Sequence, residues 1–296
     1  MIRFLYLGRV AYEEALGLQK ELVDLRYRGA IGNVLVLLEH PPVLTLGRNA
    51  SRANVLASNA MLAARGVTVH EINRGGDVTY HGPGQLVGYP IFDLRSMRSR
   101  SGGRLGPVDF VRQIEEALIG LCDEFGVSAG RIAGLTGVWC GVGPSPLTSD
   151  SSEGLPHTMA RAAESAERKI GAIGIHVSRG ITSHGFAFNV TTDLREFALI
   201  NPCGITDRPV TSLEREVAQP AELPTLEEMA HLAARHFGIV FGEEVERHVS
   251  LEALRARADA SPNEEPAREF PAEDTPLRVP PEIERLHSAA ERPTRA

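Results

Sequence analysis

"KIGAIGIHVSRGITSHGFAFNV", residues 169–190, holds two strand-like runs with almost nothing between them. "KIGAIGIHV" alternates with the period of two that a strand face requires, and "GFAFNV" follows it. Strands this close and this short pair as hairpins. A regular array of parallel strands would need a helical crossover between each pair. The stretch therefore favours an α+β or mixed α/β domain.

The flanking sequence supplies both kinds of element. "NVLVLLEH", residues 33–40, is a continuous apolar run of strand length, as in a sheet covered on both faces. Pro41 and Pro42 end it, and "VLTLG" reads as a further strand. "LVGYPIFDL" and "LTGVWC" are two more. Residues 11–26 place Ala11, Ala15, Leu18, Leu22 and Leu25 on one helix face. A second helix carries Val111, Ile114, Leu118, Leu121 and Phe125, with Gly126 as its stop. A third begins at a Thr225/Glu228 capping box and is expected to end at Gly238.

Two segments break the pattern. Residues 141–168 are rich in Ser, Pro, Gly and charge and read as a surface insertion. From about 243 the chain turns to Glu, Arg, Pro and Ala, so 246–296 is expected to be a disordered extension of a catalytic domain at 1–245. The totals narrow the function. With 31 basic against 38 acidic side chains the formal charge is −7, which argues against a general nucleic-acid binder. No apolar run has the length of a membrane span, and the N-terminal segment does not read as a secretory signal. Cys122, Cys140 and Cys203 are widely spaced, without a disulfide or zinc framework. A cytoplasmic protein with reduced thiols, no metal and no cofactor is expected, and a monomer.

"NRGGDVTYHGPGQLVGYPI", residues 73–91, is too glycine-rich for a helix and too apolar for a linker. It matches neither phosphate-cradling glycine pattern. It reads as a loop built to let backbone approach an elongated substrate, with Arg74, Thr79 and His81 as its polar groups. His81, His176 and His184 lack metal-ligand spacing. Cys203, in "LINPCGI", sits at a turn between Pro202 and Gly204 and reads either as a structural thiol or as a nucleophile. A nucleophilic thiol needs a cation beside it to favour the thiolate. Nearly all basic residues here are arginine, and Lys169 opens the strand "KIGAIGIHV". It reads either as a solvated strand end or as a charge pointing into a site.

Three long motifs, "RGGDVTYHGPGQLVGYPI", "KIGAIGIHVSRGITSHGFAFNV" and "INPCGI", resemble in order the signature of the octanoyltransferases of lipoic acid biosynthesis. The resemblance covers about residues 3–245. It implies the catalytic-domain fold shared with lipoate and biotin protein ligases, a mixed sheet with helices packed outside. It implies that an octanoyl group passes from octanoyl-acyl carrier protein to a cysteine, and then to a lysine of a lipoyl domain. Such domains belong to the 2-oxoacid dehydrogenases and the glycine-cleavage protein. The family's nucleophile maps to Cys203, and the lysine that lowers its pKa and relays protons maps to Lys169. The substrate-lining segments map to Arg74, Gly75, Gly76, Asp77, Val78, Thr79, Tyr80 and His81, to Ala172, Ile173 and Gly174, and to Gly185, Phe186 and Ala187. Both carriers are expected to be acidic, which makes Arg74 and Arg179 candidates for a docking face. Three other activities stay open on the sequence: an ATP-dependent ligase of the same fold, an octanoyl-shuttling amidotransferase, and a non-catalytic acyl-binding protein.

Overall fold

The computed structural model describes residues 1–99, 102–142, 167–201, 208–248 and 250–260. The elements run β1 (Ile2–Arg9), α1 (Tyr12–Tyr27), β2 (Asn33–Glu39), β3 (Val43–Leu46), α2 (Asn59–Ala64), β4 (Thr68–Glu71), β5 (Val78–His81) and β6 (Gln85–Ile91). Then come α3 (Pro107–Asp123), β7 (Ala129–Ile132), β8 (Leu135–Cys140), β9 (Arg168–Ser178), β10 (Ile181–Asn189), α4 (Leu213–Glu216), α5 (Leu226–Phe241), β11 (Val245–Arg247) and α6 (Leu251–Ala260).

Eight strands form one sheet in the order β11-β1-β2-β6-β10-β9-β8-β7, and β4-β3-β5 form a smaller one. The large sheet is mixed: β1 runs parallel to β11 and β2, and the pairs from β2 to β7 are antiparallel. The expected hairpin is there, with β9 and β10 in register from Ile181↔Ser178 to Phe188↔Gly171. The continuous apolar run of β2 is explained by helices on both faces. Leu35 and Leu37 pack with Phe110, Leu118 and Phe237 of α3 and α5. Val34, Val36 and Leu38 pack with Ala15 and Leu22 of α1 and with Leu254 of α6. At about 25 cal/mol per Å² of apolar area, burial on both faces makes this strand a main contributor to stability.

Three expectations are corrected. The third helix does not stop at Gly238. The capping box at Thr225 and Glu228 forms, but α5 runs on to Phe241 and is capped by Gly242 at φ 65°. Gly238 instead permits a close approach, because a Cβ there would lie 2.5 Å from Val245 Cγ2. The ordered chain also continues past 245. The Ile2 N–H donates to Glu244 O at 2.8 Å, β11 adds to the edge of β1, and Leu254 of α6 is fully buried. A composition poor in apolar residues still orders when the few present extend a sheet and core already formed. On α1 the buried face is Tyr12, Ala15, Gln19 and Leu22, whereas Ala11 is exposed.

The insertion joins two paired strands, since Cys140 of β8 lies opposite Arg168 of β9. Its residues 143–166, and 261–296 of the expected extension, lie outside the described residues. Among the described residues no helix is long and apolar enough to cross a membrane.

Candidate active site

A groove of about 810 Å³, counted out to its open mouth, runs along β9 and β10. Arg74, Gly76, Asp77, Val78, Thr79 and His81 line it, as do Ala172, Ile173, Gly174, Gly185, Phe186, Ala187 and Lys169. Stretches about a hundred residues apart in sequence thus converge on one groove. Two of the sequence-derived positions do not line it. Tyr80 turns into the small sheet, with its ring 5.5 Å from that of Phe197. Gly75 holds the loop by donating its N–H to Ile175 O at 2.9 Å. Cys203 lies outside the described residues.

The glycines of β9 have a more specific use than leaving room for a substrate. A Cβ at Gly174 would lie 2.6 Å from Gly75 O. The missing side chain is what lets the 74–77 loop lie against the strand and close that side of the groove.

Lys169 stands at the other end of the lining of β9. Five residues of strand separate it from Gly174, about 17 Å. Its Nζ lies 5.0 Å from the ring centroid of Trp139, its neighbour across β8 and β9. A ring face holds a cation there electrostatically. Gly137, at φ 125°, makes the space, since a Cβ would come within 2.7 Å of Lys169 Cε. Its N–H donates to Glu115 Oε1 at 3.0 Å. Glu115 is fully buried on α3 and is paired with Arg112 and Arg131. The lysine backbone is fixed as well: its N–H donates to Pro209 O, and its carbonyl accepts from Thr211 N–H, both at 2.9 Å.

A chain of buried polar groups joins the two ends. Arg74 donates from Nη2 to Thr45 O at 2.8 Å, from Nη2 and Nε to Thr45 Oγ1, and from Nη1 to Gly75 O. Arginine only donates, so Thr45 Oγ1 accepts from it and turns its own proton toward His81 Nε2, 3.4 Å away. That assigns the His81 proton to Nδ1, which donates to Gln85 Oε1 at 2.8 Å. Gln85 Nε2 donates to Asn189 Oδ1 at 2.9 Å, and Asn189 Nδ2 donates to Thr211 O at 2.9 Å. Thr211 is the residue bonded to Lys169. The loop and the lysine therefore share one network in which each link constrains the next.

Around the Gly174 end three histidines and two tyrosines are held neutral beside the Arg74 charge. Burial pushes the His81 imidazole down to about 3, helped by His40. Burial and then the Arg74 charge take His184 down to about 3, and burial takes His40 down to about 4. Burial raises Tyr12 to about 12 and lifts Tyr89 well above its ordinary value. His40 Nδ1–H donates to Val10 O, so its Nε2 accepts from Tyr89 O–H at 2.7 Å. Tyr12 packs against His40, His70 and His81. His184 adopts a left-handed backbone at φ 54°, uncommon for a residue with a side chain. Its N–H donates to Gln19 Oε1 at 2.7 Å and its Nε2 to Asn73 Oδ1 at 2.8 Å. Helix and loop together hold that conformation, as strained positions beside functional sites require.

The sequence reading missed Tyr12, Thr45, Gln85, Tyr89, Asn189, Phe197 and Val210. Only Asn189 carries a local signal, a polar residue closing the run "GFAFN". Arg74 does not belong to a docking face, because it is 9 % exposed and committed to Thr45. Arg179 lies at the hairpin tip with its guanidinium 4.1 Å from the Tyr27 ring centroid. Ten residues of strand, about 33 Å, separate it from Lys169. Burial raises the thiol of Cys122 well above its usual range and that of Cys140 to about 12, which keeps both protonated. Among the described residues no group of His, Cys, Asp and Glu is placed to hold a metal ion.

The chain matches the lipoyl protein ligase A/B catalytic domain over residues 11–238. It is 59% identical over 246 residues to an octanoyltransferase of Acidobacterium capsulatum, covering 83% of this chain and 92% of the relative. It is 47% identical over 287 residues to an octanoyltransferase of Koribacter versatilis, covering 97% of each. In fold it is similar to lipoate-protein ligase A bound with ATP, at a TM-score of 0.57, 16% identity, and coverage of 88% of this chain and 94% of that one. A bipartite lipoate protein ligase of Thermoplasma acidophilum, described with its E2 lipoyl domain, gives a TM-score of 0.55 at 16% identity, covering 87% and 90%.

Proposed function

The chain belongs to the lipoyl protein ligase A/B catalytic-domain family and to its octanoyltransferases, acyltransferases of lipoate biosynthesis. From that premise we propose that it takes an octanoyl group from a carrier-protein thioester onto Cys203 and passes it to one lysine of a lipoyl domain. The observation that carries this reading is the placement of Lys169. It lies at one end of the groove, and the chain that follows Cys203 returns beside it through Pro209 and Val210. The other two thiols are buried and held protonated.

The chemistry divides into two exchanges at one carbonyl carbon. The Cys203 thiolate, favoured by the Lys169 cation, attacks the donor thioester. The new C–S bond forms, the old one breaks, and the carrier leaves as a thiol by taking a proton from Lys169. An uncharged lysine amine of the lipoyl domain then attacks. The bond to Cys203 breaks, an amide forms, and a proton passes from the amine to the departing sulfur, with Lys169 as the relay. Thioester exchange is nearly balanced in energy and amide formation is downhill, so neither step needs ATP. The mostly apolar walls from Ala172 to Gly174 and Gly185 to Ala187 hold the acyl chain, while Arg74 and His81 order the opposite wall. The lipoyl domain as acceptor agrees with the archaeal ligase described with its E2 lipoyl domain. The catalytic unit runs from residue 1 through α6.

The purified protein, octanoyl-carrier protein and an unmodified lipoyl domain are expected to give octanoylated domain without ATP. Transfer only from free octanoate with ATP would make the protein a ligase instead.

A further inference from the structure

The groove accounts for one limb of a thioester. The carbonyl carbon also carries the sulfur limb, which must leave the reacting end in another direction. A second cleft of about 1830 Å³, counted out to solvent, opens there. It shares Phe197 and Val210 with the groove, so the two cavities meet across one wall. Val210 bridges to Lys169 in the backbone, which sets that wall beside the reacting end.

The lining differs in kind from that of the groove. Thr191, Ser212 and Asn201 add hydroxyl and amide groups to apolar walls of Leu56, Leu194 and Ile200, and Arg208, Arg215 and Glu214 add charge. Arg208 is paired with Glu167. Arg215 is exposed, and among the described residues no carboxylate pairs with it. Asp193 and Arg195, also on the cleft, are paired with each other.

We propose that this cleft takes the thiol-bearing arm of the donor, a chain of amides and hydroxyls ending in a phosphate, with Arg215 meeting the phosphate. The inference rests on the reading of a thioester donor given above. An amide chain needs hydrogen-bonding groups along its length and a cation only at its phosphate end, and the cleft offers both. The acceptor fits less well. A lysine side chain is a short point charge, with no use for the hydroxyl and amide groups of the cleft. Once the arm has left with its carrier, the opening is clear for the second substrate.

The test uses the full chain, its Arg215→Ala variant and Arg215→Lys, with acyl transfer to Cys203 as the readout. The donors are octanoyl-coenzyme A, octanoyl-pantetheine without the phosphate, and S-octanoyl-N-acetylcysteamine, which lacks most of the arm. Loss of one charge-assisted contact to a phosphate is expected to raise KM for the phosphate-bearing donor about tenfold. The two other donors should change by less than about twofold, and Arg215→Lys should restore part of the loss. An equal effect on all three donors would overturn the proposal, as would no effect on any. So would an effect confined to KM for the lipoyl domain in the second step, which would give the cleft to the acceptor. Acylation of the unaltered protein by the shortest donor stands apart from these outcomes. Its failure would count against Cys203 as acyl carrier, not against the cleft.

Discussion

At the Gly174 end of the groove, His40, His81, His184, Tyr12 and Tyr89 are all held in their uncharged forms by burial. At the other end, Lys169 lies against an aromatic ring and beside the segment that follows Cys203. The first end is organised to do nothing: its protons are committed to Gln85, Val10 and Asn73. The second end holds the Lys169 ammonium group on the face of Trp139. His40, His81 and His184 of this groove thus serve as architecture. The proposed chemistry falls to one of the chain's two lysines, Lys169, the other being Lys20 on α1.

The strongest way to break that division is at Lys169. Lys169→Met keeps the stem over Gly137 and removes the charge. Steady-state transfer is expected to fall by about 10²–10⁴-fold, the range for a positioned proton-transfer group. The pH midpoint for alkylation of Cys203 should move upward, since the thiolate loses its cation. Unchanged activity would move the chemistry to the histidine end.

The neutral imidazoles make a second test. Their folded values, about 3 for His81 and His184 and about 4 for His40, lie below the ordinary value of 6.5. The unfolded chain therefore binds protons that the folded one refuses. Their contribution to stability is complete above pH 6.5 and is lost as pH falls from there through the folded values. Denaturant midpoints measured from pH 7 down to about 4 are expected to fall, with uptake approaching one proton per imidazole on unfolding. A flat profile would mean that these rings titrate in the fold much as they do in the unfolded chain and are not held neutral by it.

Gln85 probes the link between the ends. Gln85→Leu leaves His81 Nδ1–H without its acceptor and Asn189 Oδ1 without its donor. The expected cost is about 1–3 kcal/mol of stability, read from chemical denaturation, with a smaller loss of activity than at Lys169. A greater loss of activity than Lys169→Met would reverse the order of importance. The smallest effect belongs to Tyr12→Phe. No hydrogen bond to its hydroxyl is among those described, so stability should change by less than about 0.5 kcal/mol and the ring packing against His81 should remain.

Much of this was legible in the sequence where the signal is local. The β2 run announces a sheet covered on both faces, Thr225 and Glu228 announce the start of α5, and the motifs holding Arg74, Ala172 and Gly185 mark the groove walls. What was not legible depends on partners far along the chain. β1 is a strand because β2 and β11 flank it, and β11 lies some 240 residues away from it. Gly238 reads as a helix stop until Val245 is seen against it. Tyr12 and Thr45 have no local mark at all. They reach the site because α1 and β3 pack there.

The central claim is that Cys203 carries the acyl group and Lys169 makes it reactive. The most direct measurement is mass spectrometry of the protein mixed with octanoyl-carrier protein alone, followed by peptide mapping. One octanoyl group is expected on the peptide containing Cys203, removed by hydroxylamine, absent in Cys203→Ser and slow to form in Lys169→Met. An adduct on another residue, or full transfer activity in Cys203→Ser, would contradict it.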